Sequence, residues 1–189
     1  MITKKIVLGS KSPRRQELLA GIGIEFTIRT KDTDESYPSD LNTLEVPIYI
    51  AQNKANALIE ELASDEIIIC ADTVVIVDNI ILGKPNNEKE AIEMLQLLSG
   101  KTHSVTTGVV IASSEKTTSF NSTTEVTFKD LSDEEINYYI DNYKPFDKAG
   151  SYGIQEWIGF IGVTSIKGSY FNVVGLPIHE VYNELNNFI

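Results

Sequence analysis

The residues Ser10-Lys11-Ser12-Pro13-Arg14-Arg15 place two hydroxyls and three cations at a point where a helix should begin. Helix N-termini attract anions because unpaired N–H groups and the macrodipole point outward there, and arginine adds bidentate contacts to phosphate. The segment reads as a phosphate site. The plainer alternative is a capped helix with a solvated basic first turn, although cations at that end oppose the dipole unless an anion is present. Asp72 is the second candidate, since it interrupts the apolar run from Ile67 to Val77. An unpaired buried carboxylate is costly, so Asp72 needs hydrogen bonds, a cation or an opening to solvent. It is either a metal ligand or general base, or a hydrogen-bonded acid at a strand kink beside Thr73. Lys54 lies on the helical ridge Ile50, Lys54, Leu58, next to the apolar stripe, where its ammonium can snorkel outward. Lys84, in Leu82-Gly83-Lys84-Pro85, follows a strand at a turn stiffened by proline. Asp32, Asp34 and Glu35 form an acidic loop, open to solvation or to metal coordination.

These groups belong to a chain of 189 residues with 42% hydrophobic and 23% charged residues, enough apolar material for one compact unit. Sixteen Lys+Arg against 27 Asp+Glu give a net charge of −11, which repels nucleic acid and anionic membranes over most of the surface. An anionic ligand therefore needs a local cationic pocket or a metal. The lone Cys70 excludes an intramolecular disulfide and reads as a small buried hydrophobe; His103 and His179 are too distant in sequence for a short metal motif. The N-terminal segment lacks a signal-peptide core, and no apolar stretch approaches the ~20 residues of a membrane span. A cytoplasmic protein is expected.

The elements that must position the candidates follow from periodicity. Ile6-Val7-Leu8 is a strand, Ser12 an N-cap, Pro13 a first helical residue, and Gly21 and Gly23 stop the helix. Ile24 to Thr30 alternates as a second strand. Ile48, Ala51, Ala55, Leu58 and Leu62 mark one face of a helix from about Pro47 to Leu62. Glu66 to Asp78 and Ile80 to Leu82 form a hairpin turning at Asp78-Asn79. Asn87 with Glu90, and Ser132 with Glu135, are capping pairs opening two further helices; the second spans Asp133 to Tyr143. His103 to Phe128 is strand-forming, Ser151 to Val174 is rich in glycine, aromatic and β-branched residues, and Pro177 heads a closing helix. Helices and strands are mixed throughout: α/β with a mixed central sheet flanked by helices.

Taken together these tracts closely resemble the Maf family of nucleoside triphosphate pyrophosphatases. The resemblance runs nearly end to end, through Ser10 to Arg15, Asp34-Glu35, Lys54-Ala55, Ala71 to Val75, Gly83-Lys84-Pro85, Ser99 to His103, Asp147 to Gln155 and Asn172 to Pro177. It implies an inosine-triphosphatase-like fold, with residues 1–189 as a single domain of two lobes around a cleft. It also implies a divalent metal (Mg²⁺, with Mn²⁺ or Co²⁺ as alternatives) and cleavage of a nucleoside triphosphate to monophosphate and pyrophosphate. Asp72 falls where the family places its proton acceptor. Ser10, Arg14, Glu35, Lys54 and Lys84 match other active-site positions, with Glu35 and Asp72 as metal candidates; Arg14, Thr73 and Gln155 match positions tied to substrate choice. Gly9 stands where many members have Ala, Asn87 replaces a common Asp, and Glu156-Trp157 follows Gln155 in place of glycine.

Uracil and thymine present an acceptor beside a ring N–H, and a Gln amide offers a donor and an acceptor in return. Gln155 thus favours dTTP and UTP, and modified pyrimidine triphosphates with the same edge. The rival expectations are a nucleotide-binding regulator of septum formation without turnover, and a Maf enzyme of other base preference such as 7-methyl-GTP. The family further implies a homodimer and removal of unwanted nucleotides from the precursor pool.

Overall fold

The structure is a computed structural model that describes residues 4–188. Among these residues, seven strands and seven α-helices form a mixed α/β arrangement. They are β1 (Lys5–Leu8), α1 (Pro13–Gly21), β2 (Phe26–Ile28), α2 (Val46–Ile59), β3 (Glu66–Val77), β4 (Ile80–Leu82), α3 (Glu88–Leu98) and β5 (Thr102–Ala112). β6 (Thr117–Phe128), α4 (Asp133–Tyr143), a 3-10 turn (Ala149–Ser151), α5 (Trp157–Gly162), β7 (Val163–Lys167), α6 (Tyr170–Val174) and α7 (Ile178–Asn186) follow. The strand order is β2-β1-β3-β5-β6-β7, with β4 on β3; β1 runs parallel to β2 and β3, while β3/β4 and β6/β7 are antiparallel. The chain divides into two compact units, to both of which β3, β5 and β6 contribute residues.

The first unit comprises Met1–Asp72, Thr107–Ser122 and Gly175–Ile189. Side chains alternate across a strand, and here both faces are covered. Ile6, Leu8, Ile67, Ile69, Val109 and Ile111 pack with Leu19 of α1 and Ile178, Val181 and Leu185 of α7. Val7, Ile68, Cys70, Val110 and Ala112 pack with Ala51, Ala55 and Leu58 of α2. The 3-4-3-4 apolar spacing of α2 thus has its counterpart in one sheet face. Gly108 sits where β5 meets the start of α2: a Cβ there would collide with the backbone of Pro47 and Ile48. At Gly9 a Cβ would collide with Cys70 Sγ, which gives a local reason why this chain has glycine rather than alanine at that position.

The second unit comprises Thr73–Thr106 and Thr123–Val174. Its core joins Val75, Val77, Leu82, Leu95, Leu98, Val105, Val126, Phe128, Ile136, Tyr139 and Ile140. Asp78 and Asn79 both adopt positive φ, 50° and 62°, and the register pairs Val77 with Ile80. This is the two-residue turn whose twist suits a hairpin and whose conformation Asn and Asp tolerate.

Several local expectations are corrected. β2 covers only Phe26–Ile28, and α2 ends at Ile59. Ser12 occupies the N-cap of α1 but its side chain makes no capping hydrogen bond; Ser10 Oγ accepts from Ser12 N instead, at 3.2 Å. Pro177 is an N-cap rather than a first helical residue. The stretch from Ser151 to Val174 holds two short helices and a strand that no periodicity announced.

Candidate functional site

In the first unit, the end of β1 and the loop after it bring Ser10 to the start of α1. Ser10 is buried, and Arg15 reaches back over it: Arg15 Nη1 donates to Ala71 O at 2.8 Å and to Ser10 Oγ at 3.4 Å, while Nε donates to Gly175 O at 2.8 Å. Desolvation lowers the Arg15 pKa, opposed by the fields of Asp72 and Glu35. Of the three cations at this helix start, Arg15 is therefore turned inward onto carbonyls, Arg14 is half-buried and Lys11 is exposed.

Lys54 and Asp72 meet across α2 and β3. Lys54 Nζ lies 2.7 Å from Asp72 Oδ1 and 2.8 Å from Glu35 Oε1, with side-chain exposures of 18%, 16% and 55% in that order. One ammonium thus bridges two carboxylates, and Asp72 gains the cation that its place in an apolar strand demanded. Asp34 turns to its own loop, accepting from Ser36 N and Oγ at 2.8 and 2.7 Å, which holds its carboxyl below the usual range. Behind Asp72, the Cys70 thiol is buried and desolvation pushes its pKa up to about 12, an inert apolar group as expected.

In the second unit, Thr73 follows Asp72 on β3 and is half-buried. Lys84 is exposed after β4, where the neighbouring Gly83 O accepts from Gly150 N at 3.0 Å. Gln155 lies in a turn closed by Glu156 N donating to Gly153 O at 3.0 Å, and its buried Oε1 has no hydrogen-bond partner among the described residues. A buried amide oxygen left this way is the kind of group a ligand satisfies.

Residues 5–188 match the family model described as Maf-like protein. The chain belongs to the Maf family. Within it, the chain is 57% identical over 182 residues to a dTTP/UTP pyrophosphatase of Phocaeicola vulgatus, covering 96% of this chain and 94% of that one. It is 52% identical over 185 residues to the protein of the same name from Parabacteroides distasonis, with 97% and 96% covered. Among solved structures, the Staphylococcus aureus Ham1 protein superposes with a TM-score of 0.51 at 14% identity, covering 96% of this chain and 100% of that one; the likeness is one of fold.

For this Maf protein, sequence reasoning singled out Ser10, Glu35, Lys54 and Asp72, which the first unit gathers into two adjoining sets of contacts. It missed Arg15 as the clamp on Ala71 and Gly175. The available signal was the Arg14-Arg15 pair itself, because successive helical residues point about 100° apart and both cannot face the same way.

Proposed function

We propose that this protein hydrolyses dTTP and UTP, and modified pyrimidine triphosphates of the same edge, to the nucleoside monophosphate and pyrophosphate. One observation carries the chemistry: the Lys54 ammonium lies against Asp72 and Glu35 in the first unit. The names of the relatives support the substrate class.

Attack of water on an α-phosphorus requires about four negative charges to be offset and a base to take a proton; it is positioning and electrostatics rather than covalent chemistry. Asp72 is the proton acceptor. Arg14 and Lys54 of the first unit bind the triphosphate, with Ser10 and the amides at the start of α1; Lys84 of the second unit is a further phosphate-binding cation. Thr73 and Gln155 select the base, Gln155 through the amide oxygen that has no partner among the described residues.

Glu35 and Asp72 suit a divalent ion. Both are hard oxygen donors already directed at one cation. No group of three or more His, Cys, Asp or Glu that could hold an ion occurs among the described residues. Mg²⁺ commonly takes only one or two protein carboxylates and completes its shell with phosphate oxygens and water. When bound, such an ion offsets phosphate charge and acidifies water; Mg²⁺ is the proposed ion, with Mn²⁺ or Co²⁺ able to replace it. A homodimer working in the cytoplasm, clearing unwanted nucleotides, completes the proposal. No helix among the described residues is long and apolar enough to cross a membrane.

The decisive test is a panel of canonical and modified triphosphates with Mg²⁺, products identified as monophosphate and pyrophosphate. UTP and dTTP should be cleaved, chelator should abolish turnover, and Asp72→Asn should lower kcat by about 10²–10⁴-fold. Near-native turnover by Asp72→Asn would overturn the assignment of the base.

A further inference from the structure

Tyr139 is fully buried on α4, yet its hydroxyl makes two hydrogen bonds to the segment that carries Gln155. It accepts from Gly153 N at 3.0 Å and donates to Glu156 Oε2. Gly153 and Glu156 are the two ends of the turn whose centre is Ile154-Gln155, and that turn is closed by Glu156 N donating to Gly153 O at 3.0 Å. One hydroxyl therefore fastens both ends of the turn. The other carboxylate oxygen of Glu156 lies 3.1 Å from Lys148 Nζ, and Lys148, itself buried, also meets Asp147 Oδ1 at 2.7 Å. Burial and the bond to Glu156 raise the Tyr139 pKa, so the hydroxyl keeps its proton and its donor role. Glu156 also caps α5: its carbonyl accepts from Gly159 N at 2.9 Å, tying the far end of the turn to a helix.

We propose that Tyr139 and Glu156, with Lys148 as the counter-charge, are positioning residues for base selection, holding the turn so that the Gln155 amide meets the pyrimidine edge. The inference rests on the pyrophosphatase function above. It also gives a role to Glu156, the residue that closes the turn. A turn tethered only by its own backbone bond would let the amide swing. A turn fixed at both ends keeps its donor and acceptor in one place, and hydrogen-bond discrimination depends on that.

The test compares kcat/KM for UTP and CTP in the wild type, Tyr139→Phe, Glu156→Ala, Glu156→Gln and Gln155→Ala, with thermal unfolding recorded for each. Tyr139→Phe and Glu156→Ala should each lower the UTP/CTP ratio about tenfold, mainly by raising KM for UTP while kcat changes less than about threefold. Glu156→Gln retains an oxygen to accept from Tyr139 and should keep most of the ratio. Adding Tyr139→Phe to Gln155→Ala should cause no further loss of discrimination, because the tyrosine acts through the glutamine. A cooperatively folded Tyr139→Phe or Glu156→Ala protein with wild-type discrimination overturns the proposal, as does an equal fall in activity on both substrates. Glu156 is partly exposed, with 21% of its side chain accessible, so its truncation leaves a testable protein should Tyr139→Phe not fold. Failure of the underlying function is distinct: the wild type would then release no pyrophosphate from UTP, or Gln155→Ala alone would leave the ratio intact.

Discussion

His103 makes the protein's stability depend on pH in a window where carboxylates contribute little. Its ring is 2% exposed, bonded through Nε2 to the Tyr152 hydroxyl at 2.7 Å, and flanked edge-on by Phe128 and Tyr152; Nδ1 has no partner among the described residues. Protonation would bury a cation among aromatic rings with one N–H unanswered, and desolvation accordingly lowers the pKa from 6.5 to about 4. The unfolded chain therefore binds the proton more readily than the folded one. Stability is complete above pH 6.5 and falls as the pH drops toward 4. Linkage between those two values gives a loss of about 2 kcal/mol from pH 7 to pH 5. For a urea m-value of about 2 kcal/mol/M this is a midpoint lower by about 1 M. Urea unfolding at pH 7 and pH 5 measures it, with His103→Gln as the non-titrating reference whose midpoint should move much less. Parallel losses in the two proteins would refute the reasoning, because the proton would then be taken up elsewhere.

Other outcomes follow from the contacts around Asp72. Lys54→Met leaves two carboxylates facing each other without their cation and should abolish pyrophosphate release and lower stability by about 1–3 kcal/mol, read by denaturation; Lys54→Arg should recover part of the stability. Gly9→Ala should cost about 1–3 kcal/mol through the clash with Cys70 Sγ, and Cys70→Ala in the same chain should recover much of it. A double-mutant cycle should then give a coupling of at least about 0.5 kcal/mol. Cys70, with its thiol pushed up to about 12 and no exposed surface, should resist a thiol reagent in the native protein at pH 8 and react fully only after unfolding.

Much of this fold was legible because its signals are local. Asn87 accepts from Glu90 N at 3.0 Å, and Ser132 with Glu135 forms a complete capping box, as the residue types and spacing required. The stripe of α2 and the Asp78-Asn79 turn were equally readable, since each depends on a repeat or a backbone preference that neighbours in sequence reveal. The segment from Ser151 to Val174 was not, because α5 and α6 are six and five residues long, too short to show a helical period. At the candidate site, the anomaly of Asp72 in an apolar strand demanded a partner without naming it. Lys54 supplies that partner from 18 residues away, a pairing that only the packing of α2 on β3 determines. The double role of the Tyr139 hydroxyl was invisible for the same reason: its partners lie 14 and 17 residues further along the chain.

The close approach at Gly108 bears on attempts to make a sturdier variant. Exchanging glycine for alanine in a strand is a common route to extra stability, since it narrows the unfolded ensemble. Here that route is closed: even one methyl group would wedge α2 off β5 at Pro47 and Ile48. The helix could yield only by shifting as a rod, and the ammonium two turns further along would move with it. Designers seeking heat tolerance should leave this residue alone and look to exposed loop positions instead.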